Sequence, residues 1–184
     1  MTADGPARDL AAQFPMVILI GPPGAGKTTV GTELAARLGV TFTDTDASIE
    51  AVAGKPVGDI FIEDGEAAFR ELERAAVAAA IGGQDGIVGL GGGAVLDPGT
   101  QEQLSGRPVV YLNASFPELA KRVGMDRPRP LLIGNPRAQL KALLDQRLPI
   151  YDRLAWMTVD TDGRAPAEIA DQIAAAVGHE RPAR

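Results

Sequence analysis

Five short apolar runs alternate with amphipathic stretches along this chain, and that alternation constrains the fold more than any other feature. The runs are MVILI at 16–20, VTFTD at 40–44, GIVGL at 86–90, PVVYL at 108–112 and WMTVD at 156–160. Each has the length of a strand, and largely unbroken apolar character is what a strand buried on both faces requires. Lys27–Leu38, Asp64–Ile81, Ser115–Val123, Arg137–Leu148 and Pro166–Val177 carry apolar residues at i, i+3, i+4 spacing and are predicted as helices. Gly39, Gly82 and Gly124 follow three of them, as helix stops do. Strands that alternate with helices form a parallel sheet covered on both faces, a three-layer α/β/α arrangement whose ligands bind beyond the carboxyl ends of the strands. With 184 residues and no internal repeat or break in composition, a single domain is expected. Its bounds are read as 15–177, with flexible ends at 1–14 and 178–184.

Charge and composition remove several kinds of chemistry. Eighteen basic against 24 acidic residues give a net charge of −6, so non-specific attraction to nucleic acid or to an anionic membrane is not expected, and any anion site must be local. There is no cysteine, and the one histidine, His179, lies in the polar tail. Disulfides, thiolate nucleophiles and imidazole acid–base pairs are thereby excluded. Asp, Glu, Lys, Arg and the backbone must do the work. No apolar run approaches the roughly 18 residues of a membrane span, and MTADGPARDLAAQFP lacks a signal-peptide core, so a cytoplasmic location is expected.

The turn after the first run reads GPPGAGKT, Gly21–Thr28. With a strand before it and a helix after it, this is the setting of a phosphate-binding loop. Glycine lets successive N–H groups converge on one point without Cβ clashes, and the helix N-terminus adds its positive end. Gly24, Ala25, Gly26, Lys27, Thr28 and Thr29 would surround the phosphates of ATP, with Lys27 on the β- and γ-phosphates and the Thr28 hydroxyl on Mg²⁺. A guanine-reading N-K-x-D segment is missing and the chain is small for a motor, which leaves a small-molecule kinase.

Such a kinase needs an acceptor pocket and a water-excluding lid. FTDTDASIE puts Asp44 and Asp46 at a strand's carboxyl end, one suited to the metal and the other to an acceptor hydroxyl. The competing local role is helix capping, for which Asp46 is a natural candidate before a helix starting near Ala47. DIFIEDGEAAFRELE places Phe61, Phe69 and Arg70 together, so that a guanidinium could clamp a carboxylate between phenyl walls. Alternatively, Arg70 pairs with Glu73 on a solvated helix face. Gly91, Gly92 and Gly93 imply close approach by a ligand or positive φ. GMDRPRPLLIGNP, with Arg127 and Arg129 fenced by Pro and Gly, has the composition of a lid at about 124–136.

These elements, in this order, resemble the shikimate kinases, small kinases of the nucleoside-monophosphate-kinase-like fold. The resemblance rests on GxxGxGKT, D-T-D at 44–46, D-G-E-x-x-F-R at 64–70, G-G-G-A at 91–94, R-P-L-L at 129–132, R-x-P-x-Y at 147–151 and V-D-T before Arg164 and Pro166. It implies a five-stranded parallel sheet in order 2-3-1-4-5 and transfer of the ATP γ-phosphate to the 3-hydroxyl of shikimate, in chorismate and aromatic amino acid biosynthesis. Asp46 would bind the acceptor hydroxyls and serve as base. Arg70 and Arg147 would hold its carboxylate and Gly92 would offer backbone contact. Arg129 would close on the phosphates with the lid, Arg122, Arg164 and Pro166 would line the adenine site, and Asp44 would act on the Mg²⁺ hydration shell with Thr28. Gly89 departs from the small polar residue common at that position in relatives, so hydroxyl support to Mg²⁺ from there is missing. Two rivals are a gluconate or nucleotide kinase of the same fold, which should lack DTD with GGGA or carry a larger acceptor insertion, and a non-catalytic nucleotide-binding module. A monomer is expected, since nothing marks a large apolar interface.

Overall fold

A computed structural model of the chain describes residues 16–83, 85–124 and 136–179. All five expected strands form: β1 (Val17–Ile20), β2 (Phe42–Asp44), β3 (Ile87–Gly89), β4 (Val109–Asn113) and β5 (Met157–Asp160). They make one sheet in order β2-β3-β1-β4-β5, every pairing parallel. Central β1 is buried at every position because its side chains alternate between two cores. Val17 and Leu19 pack with α1 (Lys27–Leu38) and α8 (Pro166–His179); Ile18 and Ile20 pack with α4 (Gly65–Ile81) and Tyr151. Two helical layers therefore cover the sheet, as the apolar runs require. A small third cluster of Ile49, Ile60 and Phe69 joins α4 to α2 (Thr45–Ala53) and α3 (Val57–Glu63).

Several local readings need correction. Helix α2 begins at Thr45, and its cap is Asp44, whose side chain accepts from the N–H groups of Asp46 and Ala47. Asp46 sits inside the first turn, which releases its carboxylate from capping. Helix α3, a 3₁₀ turn at Ala94–Leu96 and α5 (Pro98–Leu104) were not among the predicted helices. The signal for α5 was present: Asp97 caps the Thr100 N–H and Pro98 occupies the first turn. Helix α6 (Phe116–Arg122) follows expectation, but α7 (Pro136–Leu154) runs past Pro149. A proline inside a helix costs about 3 kcal/mol. Burial of Tyr151 against Tyr111, rings 5.1 Å apart, offsets that cost. Residues 125–135, the greater part of the expected lid with Arg127 and Arg129, lie outside the described residues, as do residues 1–15, 84 and 180–184, while Pro136 at the expected lid's end opens α7. Among the described residues, no helix is long and apolar enough to cross a membrane.

One packing detail ties the fold to the site. The Phe42 ring lies beneath α1, and a Cβ added to Gly31 would come 2.2 Å from its Cε2. Gly31→Ala gains helix propensity of about 1 kcal/mol, yet overpacking of this severity costs about 1–3 kcal/mol. The expected net result is a lower melting temperature, checked by thermal unfolding. Phe42→Leu in the same background should restore part of it.

Candidate active site

The turn after β1 is built by backbone conformations open to glycine. Gly21, Gly24 and Gly26 have φ of 147°, 83° and 96°, and a Cβ on Gly21 would lie 2.7 Å from the Leu112 carbonyl oxygen. Gly26 leads into α1, so the helix N-terminus points into the loop. Lys27 Nζ folds back and donates to the carbonyls of Gly21 (2.8 Å) and Pro22 (3.0 Å). Burial drives the Lys27 ammonium down to about 8, against the opposing pull of Asp46 and Asp44.

Asp44 serves two partners at once. Its Oδ1 caps α2 by accepting from Asp46 N at 3.0 Å, and its Oδ2 accepts from Thr28 Oγ1 at 2.7 Å. This joins the end of β2 to the start of α1 and sets a carboxylate and a hydroxyl side by side. Asp46 projects from the same turn into the cleft. Its carboxyl is raised above the ordinary aspartate range by burial first and by the neighbouring Asp44 charge second, with Lys27 opposing. Thr45, between the two acids, was not singled out in the sequence. It is fully buried, and its Oγ1 accepts from Gly91 N at 2.9 Å, fastening the glycine segment to the acidic turn.

None of Gly91, Gly92 and Gly93 has positive φ. Their lack of side chains is instead required by close approach of the protein's own groups. A Cβ on Gly91 would stand 2.5 Å from Asp46 Oδ1, one on Gly92 would stand 2.9 Å from Pro23 Cδ, and one on Gly93 would stand 2.8 Å from Arg70 Nη1 and 3.4 Å from Arg147 Nη2. Two guanidinium groups from distant helices therefore converge on one peptide. Arg70 is held by Glu73 (2.6 Å) and Glu66 (3.3 Å), and its Cζ lies 5.3 Å from the centre of the Phe69 ring. The pairing with Glu73 is real, but Glu73 is buried rather than solvated, and burial raises its carboxyl while Arg70 opposes. Arg147 is buried too, and among the described residues its Nε has no hydrogen-bond partner. Such a group favours an incoming anion. Phe69 belongs to the third core cluster, and the exposed Phe61 ring lies 4.3 Å from it, tilted by 33°.

A cleft of about 590 Å³ runs over Gly24–Thr29 and Asp44 and Asp46 to Arg122, Arg164 and Pro166. Arg122 donates to Gly24 O and Thr161 Oγ1, both at 3.2 Å, and Arg164 donates to Asp160 O at 3.1 Å. Thr161, buried in this wall, was another residue the sequence reading missed.

The shikimate kinase family model matches residues 23–178. The chain belongs to the shikimate kinase family. Similar shikimate kinases include that of Thermobifida fusca, 60% identical over 87% of this chain and 93% of the relative, and that of Salinispora arenicola, 55% identical over 88% and 96%. The solved shikimate kinase of Acinetobacter baumannii in complex with shikimate superposes with a TM-score of 0.83 at 36% identity, covering 91% of this chain and 94% of that one. Seen as a shikimate kinase, the chain also accounts for Gly89: a Cβ there would meet the Phe42 ring at 3.2 Å, so Phe42 occupies the space a larger side chain would need.

Proposed function

We propose that this shikimate kinase directs the γ-phosphoryl group of ATP to the 3-hydroxyl of shikimate, with Asp46 as proton acceptor and Arg70, Arg147 and the Gly91–Gly93 segment as the acceptor clamp. The observation that carries this reading is the placement of Asp46 against Gly91, between the phosphate loop's Lys27 and the arginine pair at Gly93. Loop N–H groups and Lys27 bind the phosphates; Arg122, Arg164 and Pro166 flank the base. The arginines fix the acceptor carboxylate, which orients the ring so that one hydroxyl reaches Asp46. The bond from that hydroxyl oxygen to the γ-phosphorus forms as the bond to ADP breaks, and the proton passes to Asp46 late, since a loose transition state needs little push from the base. Burial, by raising the Asp46 carboxyl, makes it a better final proton acceptor.

The Thr28 hydroxyl and Asp44 carboxylate, 2.7 Å apart, suit magnesium, which takes few protein oxygens beside phosphates and water. When bound there, the ion would neutralise charge on the transferring phosphoryl group. Initial rates with shikimate, gluconate and AMP as acceptors test the reading; a preference for AMP or gluconate would overturn it, as would phosphate on a hydroxyl other than the third.

The lowered Lys27 carries a pH consequence. Its ammonium in the free site is present below about pH 8 and lost above it. ATP needs the charged form, so binding above that pH requires proton uptake. The KM for ATP is expected to rise about tenfold per pH unit above 8, and calorimetry near pH 8 in buffers of different ionisation enthalpy should register uptake of a fraction of a proton. A flat KM between pH 7 and 9.5 would contradict the assignment.

A further inference from the structure

We infer that Tyr151 is a positioning residue for the acceptor site, its hydroxyl holding the peptide between Gly92 and Gly93 on which the acceptor carboxylate is received. The inference rests on the acceptor clamp proposed above. Tyr151 is completely buried, yet its Oη donates to Gly92 O at 2.6 Å, the short end for such a bond. It stands four residues after Arg147 on α7, so both side chains leave the same helix face toward the glycines. The Gly92–Gly93 peptide is trans, and its carbonyl and N–H therefore point in opposite directions. With the carbonyl taken by Tyr151, the Gly93 N–H is turned away from α7, and among the described residues it has no hydrogen-bond acceptor. The same residue borders Nη1 of Arg70 and Nη2 of Arg147. Two adjacent glycines without a Cβ have wide backbone freedom, so without an anchor this peptide could flip its dipole and place a carbonyl oxygen where the carboxylate must come. One hydroxyl prevents that. Burial pushes the Tyr151 phenol up to about 12, so it remains a donor at any working pH.

The neighbouring Tyr111 is an internal control. Its ring stacks on that of Tyr151, but its Oη donates to Asn113 Oδ1 at 3.0 Å and does not serve the glycines. Tyr151→Phe keeps the ring and removes the anchor, together with the hydroxyl's contact with Arg147 on the same helix face. It is expected to raise the KM for shikimate about five- to twentyfold, as for loss of one hydrogen bond to a buried partner with its dependent alignment, while the KM for ATP stays within about twofold. Tyr111→Phe should leave the KM for shikimate unchanged. Protein carrying 4-aminophenylalanine at 151, which keeps the ring but donates more weakly, provides the second arm if Tyr151→Phe does not fold: the KM for shikimate is expected to rise about two- to fivefold with that for ATP unchanged, and an unchanged KM for shikimate overturns the inference. An unchanged KM for shikimate in Tyr151→Phe overturns the inference. So does a parallel rise in both KM values with a lower melting temperature, or an equal rise in Tyr111→Phe, since either would trace the effect to packing. Arg70→Ala serves as the reference: if it raises the KM for shikimate and Tyr151→Phe does not, only the role of Tyr151 falls, whereas if it too has no effect, the clamp itself is wrong.

Discussion

Asp46→Asn is expected to lower kcat by about 10²- to 10⁴-fold, the usual range for loss of a positioned proton acceptor, with the KM for ATP within about twofold of the parent. Asparagine preserves size and one acceptor oxygen, so the cleft should keep its shape. What disappears is the place where the acceptor hydroxyl's proton ends; because the lost charge also supports the Lys27 ammonium, the KM for ATP is compared well below pH 8, where Lys27 stays charged in both proteins. The parent enzyme should carry an acidic limb in kcat that reflects the raised Asp46 carboxyl. The sign follows from the active form being the carboxylate: activity is present above that pKa and is lost as pH falls through it. In Asp46→Asn the limb should vanish along with most of the rate. Turnover at the parental level would remove Asp46 from the chemistry and leave it a residue of the α2 turn.

Arg147→Met should raise the KM for shikimate by about 30- to 1000-fold, equivalent to some 2–4 kcal/mol for the loss of a charge-assisted contact in a buried site. Folding stability should not fall in step. The guanidinium is buried, its Nε without a partner among the described residues, and lies near a second arginine at Gly93, an arrangement that costs the protein desolvation and like-charge repulsion. Methionine of similar reach removes both costs, so the melting temperature is expected to hold or rise, the common exchange between a binding site and stability. A collapse in melting temperature with an unchanged KM would mean that Arg147 is a structural residue. The contrast with Arg70 is informative, because Arg70 is already neutralised by Glu73 and Glu66 and its loss would strand Glu73 as a buried carboxylate.

Tertiary contacts explain where local reading went astray. Asp44 and Asp46 are chemically alike and two residues apart, and capping rules apply equally well to either. The Thr28 hydroxyl, 16 residues earlier in sequence, meets Asp44, which is the residue that takes the cap, and Asp46 is left free for the cleft. Pro149 looked like a helix end because its cost is local and visible, while the compensating burial of Tyr151 on Tyr111 comes from a strand 40 residues away. Glu73 could be paired with Arg70 by spacing alone, but not known to be buried. Thr45 and Thr161 stood inside the D-T-D and V-D-T motifs without a role that local reading could assign, since a threonine's value here lies in one hydrogen bond to a distant backbone or side chain.

The amino-acid order alone determined the layered parallel sheet and the phosphate loop after its first strand, because apolar periodicity and the glycine–lysine–threonine spacing are properties of contiguous residues, and its D-T-D, F-R and G-G-G-A motifs carried the resemblance to the family. Only the three-dimensional structure decided which acid is free, why the three glycines must lack side chains, and that two arginines 77 positions apart converge on one peptide, because those outcomes depend on close approach between segments that the chain brings together only when its two cores have formed.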